Sequence, residues 1–201
     1  MTVPTVGQAE AYLKEAEQRN PGPWGDHSRS AANNARAIAE RCKGMDADIA
    51  YAMGLLHDIG RREGFSYMAH TIDGYRFLKA AGFEDAAAIC LTHSFPVPDI
   101  KTYLGKPDVS AADYAFLETC LAERTYTDYD RLIQLCDAIS MPEGAVLIEK
   151  RLIDVALRHG APDDLQKKWM PYFEIKAYFD GRAGQNIYKF LPRIVENTFG
   201  W

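Results

Sequence analysis

Five histidines and a few carboxylates in unusual settings carry the chemistry of this 201-residue chain. His57 and Asp58 sit side by side at the end of the apolar run IAYAMGLL, before a helix break at Ile59-Gly60 and the pair Arg61-Arg62. A carboxylate in apolar surroundings costs several kcal/mol unless it is paired or binds metal. The chain supplies partners of the right kind. His27 shares a helical face with Ala31, Asn34, Ala35 and Ile38, and His93 with Ala86, Ile89 and Cys90. His70 opens a further helix, and Asp137 is embedded in LIQLCDAIS with Ile133 and Ser140 on its face. Singly, each histidine reads as a satisfied core residue. Together, His27, His57, Asp58, His70, His93 and Asp137 read as a metal-ligand set. Asp154, in LIDVAL, is a weaker alternative to Asp137. Asp128 and Asp130 lie in a polar turn and read as helix caps. His159, in ALRHG, reads as a helix-end residue favoured by the dipole.

Almost every segment that positions these residues is helical in pattern. Val6 to Arg19 is the first helix, and NPGPWG (20–25) breaks the chain. Asp26 or Ser28 then caps the His27 helix, which Gly44 ends, and Asp46 or Asp48 opens the helix into His57-Asp58. Helices follow from about His70 to Gly82, over 84–93, from Ser110 through Cys120, and from Thr127 or Asp128 through Ser140. Pro142 and Gly144 interrupt, and helices are expected over 145–159, 163–180 and about 184–198. The irregular stretch 94–110, with three prolines and two lysines, is either a binding loop or a plain surface connection. The last third carries Trp169, Tyr172, Phe173, Tyr178, Phe179, Tyr188, Phe190 and Trp201, an aromatic cap over the core or a wall of a pocket. No strand alternation, repeat or linker composition appears. The expectation is one all-α domain over 1–201, its motif-bearing core at about 26–140 and a helical C-terminal extension at about 145–201.

Apolar residues make up 47% and charged ones 25%, as in ordinary globular chains. A net charge of −5 argues against a nucleic-acid polymer or an anionic membrane as partner. No basic-then-apolar leader and no bilayer-length run are visible, so a cytoplasmic location is expected. The four cysteines are far apart and form no CxxC pair, which fits reduced buried thiols.

The ordered set His27, His57-Asp58, Asp137 resembles the H…HD…D motif of the HD superfamily of metal-dependent phosphohydrolases. The likeness covers about residues 26–140. It implies an all-helical HD-domain bundle and a divalent metal held by those four residues. His70 and His93 resemble the extra histidines of binuclear members, in which Asp58 bridges two ions. Two metals about 3.5–4 Å apart clamp an in-line phosphoryl displacement and acidify a bridging water. Imidazole-rich ligands suit Fe, Mn, Co, Ni or Zn better than Mg.

Within the family, the six-residue set is most similar to small bacterial hydrolases of diadenosine tetraphosphate. The implied activity is hydrolysis of a small phosphorylated metabolite, a nucleotide or dinucleotide. Arg61 and Arg62 are substrate-binding candidates, at least one of them expected at the mouth of the site, where arginine binds phosphate bidentately. Lys101 and Lys106, on the 94–110 loop, are further substrate-binding candidates, and Glu63 is a candidate general acid. The same ligands occur in HD-fold diiron oxygenases, and a silent nucleotide-binding regulatory domain is a third reading. A homodimer is compatible with the sequence.

Overall fold

A computed structural model describes residues 1–160 and 164–201. Its helices are α1 (Val6–Arg19), α2 (Trp24–Ala39), α3 (Ala47–Leu56), α4 (Ala69–Ala80), α5 (Glu84–Thr92), α6 (Ala111–Glu123), α7 (Asp128–Ala138), α8 (Ile148–His159), α9 (Leu165–Ala183) and α10 (Ile194–Phe199). The fold is all-α, as expected. The sole sheet among the described residues is a hairpin of β1 (Ser140–Met141) and β2 (Gly144–Ala145), with Ser140 opposite Ala145. No helix of the structure is long and apolar enough to cross a membrane among the described residues.

Local chemistry sets most boundaries. Thr5 and Gln8 form a capping box at α1, and Thr127 and Asp130 form one at α7. The Asp46 carboxylate caps α3 by accepting from the Asp48 and Ile49 amides. The breaker cluster also starts a helix. Pro23 occupies the N-cap of α2, so that helix begins at Trp24 and not at Asp26 or Ser28.

The C-terminal third departs furthest from expectation. Pro142 and Gly144 fold the chain back as the hairpin, and the helix expected from 145 begins at Ile148. Residue 163, the expected start of the next helix, lies outside the described residues, and α9 runs on to Ala183. The span expected as one helix over 184–198 is divided. Gly184 ends α9 in the left-handed region (φ 69°), a 3-10 turn covers Ile187–Lys189, and α10 begins only at Ile194.

Three apolar clusters hold these elements. The first joins α2, α7 and α3 to α8, α9 and α10 through Ile38, Leu132, Ile133, Leu135, Ile148, Phe179 and Ile194. The second packs α1 against α3 and α5, and the third gathers α4, α5 and α6 with Phe95 and Ile100 of the 94–110 segment. That segment is therefore packed onto the core and is no plain connection. The aromatic tail does cap the first cluster, with Trp169, Tyr172, Phe173, Tyr188 and Phe190 against it.

Two glycines let helices come close enough to build a common site. A Cβ on Gly54 would lie 2.8 Å from Ala32 Cα, so α3 seats directly on α2. A Cβ on Gly60 would lie 1.9 Å from the His70 carbonyl oxygen and 2.5 Å from Gly74 N, which presses the 3-10 turn Ile59–Glu63 onto α4. Gly60→Ala is expected to cost about 3 kcal/mol or more of unfolding free energy, as overpacking against backbone does. Gly7→Ala on α1, with nothing within 4 Å, is expected to gain about 0.5–1 kcal/mol. Urea melts of the two variants check this, and equal midpoints would contradict the close approach.

Candidate metal centre

Five helix ends converge. His27 lies in the first turn of α2 and His70 in the first turn of α4. His57 is the C-cap of α3 and His93 the C-cap of α5. Asp137 occupies the last turn of α7, and Asp58 follows His57 directly. His57 and His93 have the same backbone conformation and make the same bond. His57 Nδ1 donates to the Gly54 carbonyl at 2.6 Å and His93 Nδ1 to the Cys90 carbonyl at 2.9 Å. His70 Nδ1 donates to the Tyr67 carbonyl in the same i−3 pattern. These bonds assign the tautomers and turn three Nε2 lone pairs inward, the usual way a protein orients ligating histidines.

The inner faces then present acceptors to one another. His70 Nε2 lies 3.3 Å from His93 Nε2 and 3.1 Å from Asp58 Oδ1. His93 Nε2 lies 3.5 Å from the same Oδ1. The other Asp58 oxygen faces His57 Nε2 at 3.9 Å. Asp137 Oδ1 is 3.0 Å from His27 Nε2 and 4.0 Å from His57 Nε2. His57 Nε2 and Asp58 Oδ1 are buried and lack any hydrogen-bond partner. An orphaned buried acceptor costs about 1–3 kcal/mol, and here lone pairs converge, so a cation is the group that fits. The sets His27-His57-Asp58, His57-His93-Asp137 and Asp58-His70-His93 each bring three donor atoms within ligating range.

Electrostatics agree with that fit. Burial pushes the His57 imidazole down to about 4, and burial, reinforced by Arg61, lowers His70. Burial alone would raise Asp58. The Arg61 guanidinium outweighs it and holds the carboxyl well below the usual range. For Asp137, burial is likewise outweighed, by His27 and Arg151. Neutral His57 and His70 facing ionised carboxylates are in the state that binds metal without first losing protons.

A cleft of about 130 Å³ opens onto Asp58, His70, His93 and Asp137. Arg61 lines it, its Nε donating to Asp58 Oδ2 at 2.6 Å. The other basic and acidic residues that the sequence suggests for the site lie elsewhere. Successive residues of a 3-10 turn point about 120° apart, so Arg62 turns from Arg61 toward α1. There it is buried over the Phe77 ring, donating to Glu15 at 2.9 Å. Glu63 is half-exposed and pairs with Arg19 at 2.5 Å, away from the ligands. Lys101 and Lys106 are exposed and do not line the cleft, whereas Thr102, Tyr103 and Leu104 of that loop do. Asp154 is no ligand: it accepts from Arg151 and Arg158. Asp130 is a cap, as expected, yet it is also fully buried, accepting from Thr92, Arg124 and Thr127 behind His93.

Sequence reasoning placed Tyr172 in a possible pocket wall but missed the cations beside it in one wall of the cleft. Arg151, Arg158, His159, Lys168 and Tyr172, from α8 and α9, line it opposite the ligands. Their signal was the spacing of Arg151, Val155, Arg158 and His159 along one helical stripe. His159, read from sequence as a helix-end residue, is exposed there but reaches the cleft and meets the Tyr67 ring edge to face.

The HD domain family model matches residues 24–141, more than half of the chain and a span that holds all six clustered residues. The chain belongs to the HD domain family, whose members are generally metal-dependent phosphohydrolases. No curated protein and no solved structure matches it. Helices α8–α10 lie beyond the matched span.

The two arginines separate experimentally. Arg61→Gln is expected to weaken binding of inorganic phosphate about tenfold or more. Arg62→Gln is expected to lower the melting midpoint and leave that affinity alone. Calorimetry beside thermal melts checks both, and the reverse pattern would contradict the placement.

Proposed function

We propose that this protein hydrolyses small phosphoric esters or anhydrides at a two-metal centre. The observation that carries the reading is a buried set of ionised carboxylates and inward-facing imidazoles opening onto a cation-lined cleft. His27, His57, Asp58 and Asp137 would hold one ion, and Asp58, His70 and His93 a second. Asp58 suits a bridging role because its Oδ2 faces His57 while its Oδ1 faces His70 and His93. When bound, divalent Fe, Mn, Co, Ni or Zn supplies an acidified water and polarises a phosphoryl oxygen.

The chain's own residues do the rest. Arg61, fixed by Asp58 and by the Ser66 carbonyl at 3.3 Å, presents a guanidinium to the phosphoryl oxygens. Arg151, 3.6 Å from Asp137 Oδ1, presents another from the opposite wall. Tyr103, Leu104, Leu152 and Val155 narrow the cleft and limit water around the reacting group. Glu63 is turned away, so leaving-group protonation falls to solvent or to a cleft group. The cleft is open at its mouth, and its volume of about 130 Å³ is close to the roughly 150 Å³ of an engineered cavity that binds benzene. It seats a phosphoryl group with a short carrier. A nucleotide or dinucleotide would seat its terminal phosphoryl and leave its base at the mouth, beside exposed Arg158 and His159.

Phosphate release from a panel of phosphomonoesters, nucleotides and dinucleotides tests the reading. Asp58→Ala and His93→Ala are expected to lower the rate by roughly a hundredfold or more. Oxygen uptake with a polyol or phosphonate, without phosphate release from the panel, would overturn it in favour of an HD-fold diiron oxygenase.

A further inference from the structure

Arg158 and Lys168 exceed what one phosphoryl group beside the metal ligands requires. Arg151 and Arg158 share one carboxylate, Asp154, at 3.0 and 2.6 Å. Arg151 reaches inward to Asp137, so it serves the phosphoryl end. Arg158 has no such tie and is half-exposed at the mouth. Lys168 arrives from α9. It is 9% exposed, and its carboxylate neighbour among the described residues is Asp164, at 3.5 Å with more than half its side chain in solvent. An exposed i, i+4 ion pair is worth little, yet burying an ammonium is costly without a good partner. The cleft is where the ammonium can meet a second anion.

We propose that Arg158 and Lys168 form a second anion subsite, so that the substrate carries another anionic group close to its phosphoryl group. The proposal rests on the hydrolase reading for which end of the ligand reacts. Arg158 and Lys168 line the same cleft of about 130 Å³ as Asp58, His70, His93 and Asp137, so the two anionic groups lie close together. The substrate class is therefore a short phosphomonoester bearing a carboxylate or second phosphate, or a compact anhydride. The helices α8 and α9, which carry the subsite, lie outside the family-matched span.

Isothermal calorimetry on Mn²⁺-loaded protein tests this with three probes. Methyl phosphate offers the phosphoryl group alone, phosphoglycolate adds a carboxylate, and pyrophosphate adds a second phosphate. At least one two-anion probe is expected to bind about tenfold tighter than methyl phosphate. Arg158→Gln and Lys168→Met are expected to close that gap while methyl phosphate stays within about twofold. Arg158 is half-exposed and carries the test alone if Lys168→Met fails to fold. A gap that is absent, or that survives the substitutions, overturns the subsite and leaves the hydrolase reading standing. A gap that depends on Arg158 or Lys168, with no phosphate released from any phosphoric ester or anhydride, supports the subsite and overturns the hydrolase reading. Absence of binding by all three probes overturns both.

Discussion

The buried carboxylate of Asp58 is the constraint on which the rest depends. It is 4% exposed, its Oδ1 has no hydrogen-bond donor, and two imidazole lone pairs face it. An ionised group in that position must be compensated or neutralised by protonation. The chain compensates it on one side with Arg61 and presents only acceptors on the other. Five helix ends are brought to this point by small residues, with Gly54 against Ala32 and Gly60 against His70. The backbone carbonyls of Gly54, Tyr67 and Cys90 then hold the three imidazoles in ligating orientation. A fold that only needed a core would not gather four acceptor side chains at one buried point.

The support around this point is graded. Behind His93, buried Asp130 ties Thr92 to Arg124, and the Gln134 amide donates to the Thr92 and Phe95 carbonyls at 3.0 Å each. The end of α5 is thus fixed by α7, which also carries Asp137. Such outer contacts set ligand geometry as firmly as the ligands do. Farther out, Arg151 links Asp137 to Asp154, so the C-terminal helices meet the centre through an ion-pair chain and their outer cations line the cleft.

The buried cluster of histidines and carboxylates was legible in sequence because it obeys helical periodicity. His27 and His93 sit on apolar faces, His57-Asp58 ends an apolar run, and Asp137 is surrounded by Leu, Cys and Ile. What failed was direction inside short irregular elements. Nothing in GRREG tells which of Arg61, Arg62 and Glu63 faces the site, because a 3-10 turn spreads neighbours around its axis and Phe77 and Glu15 lie far away in sequence. Lys101 and Lys106 stand out by their charge, while the packed loop turns Tyr103 inward. The α8 cations were hidden for a different reason. Their orientation depends on the two-residue hairpin at Pro142-Glu143, whose strands are too short to leave an alternating pattern.

The most direct test of the central claim is the metal content of protein purified without oxygen or chelator, measured by elemental mass spectrometry. The account predicts about two transition-metal ions per chain, with loss of one or both in Asp58→Ala and of one in His70→Ala or His93→Ala. Protein that takes up no transition metal when folded, or that holds the same ions after Asp58→Ala, would contradict it.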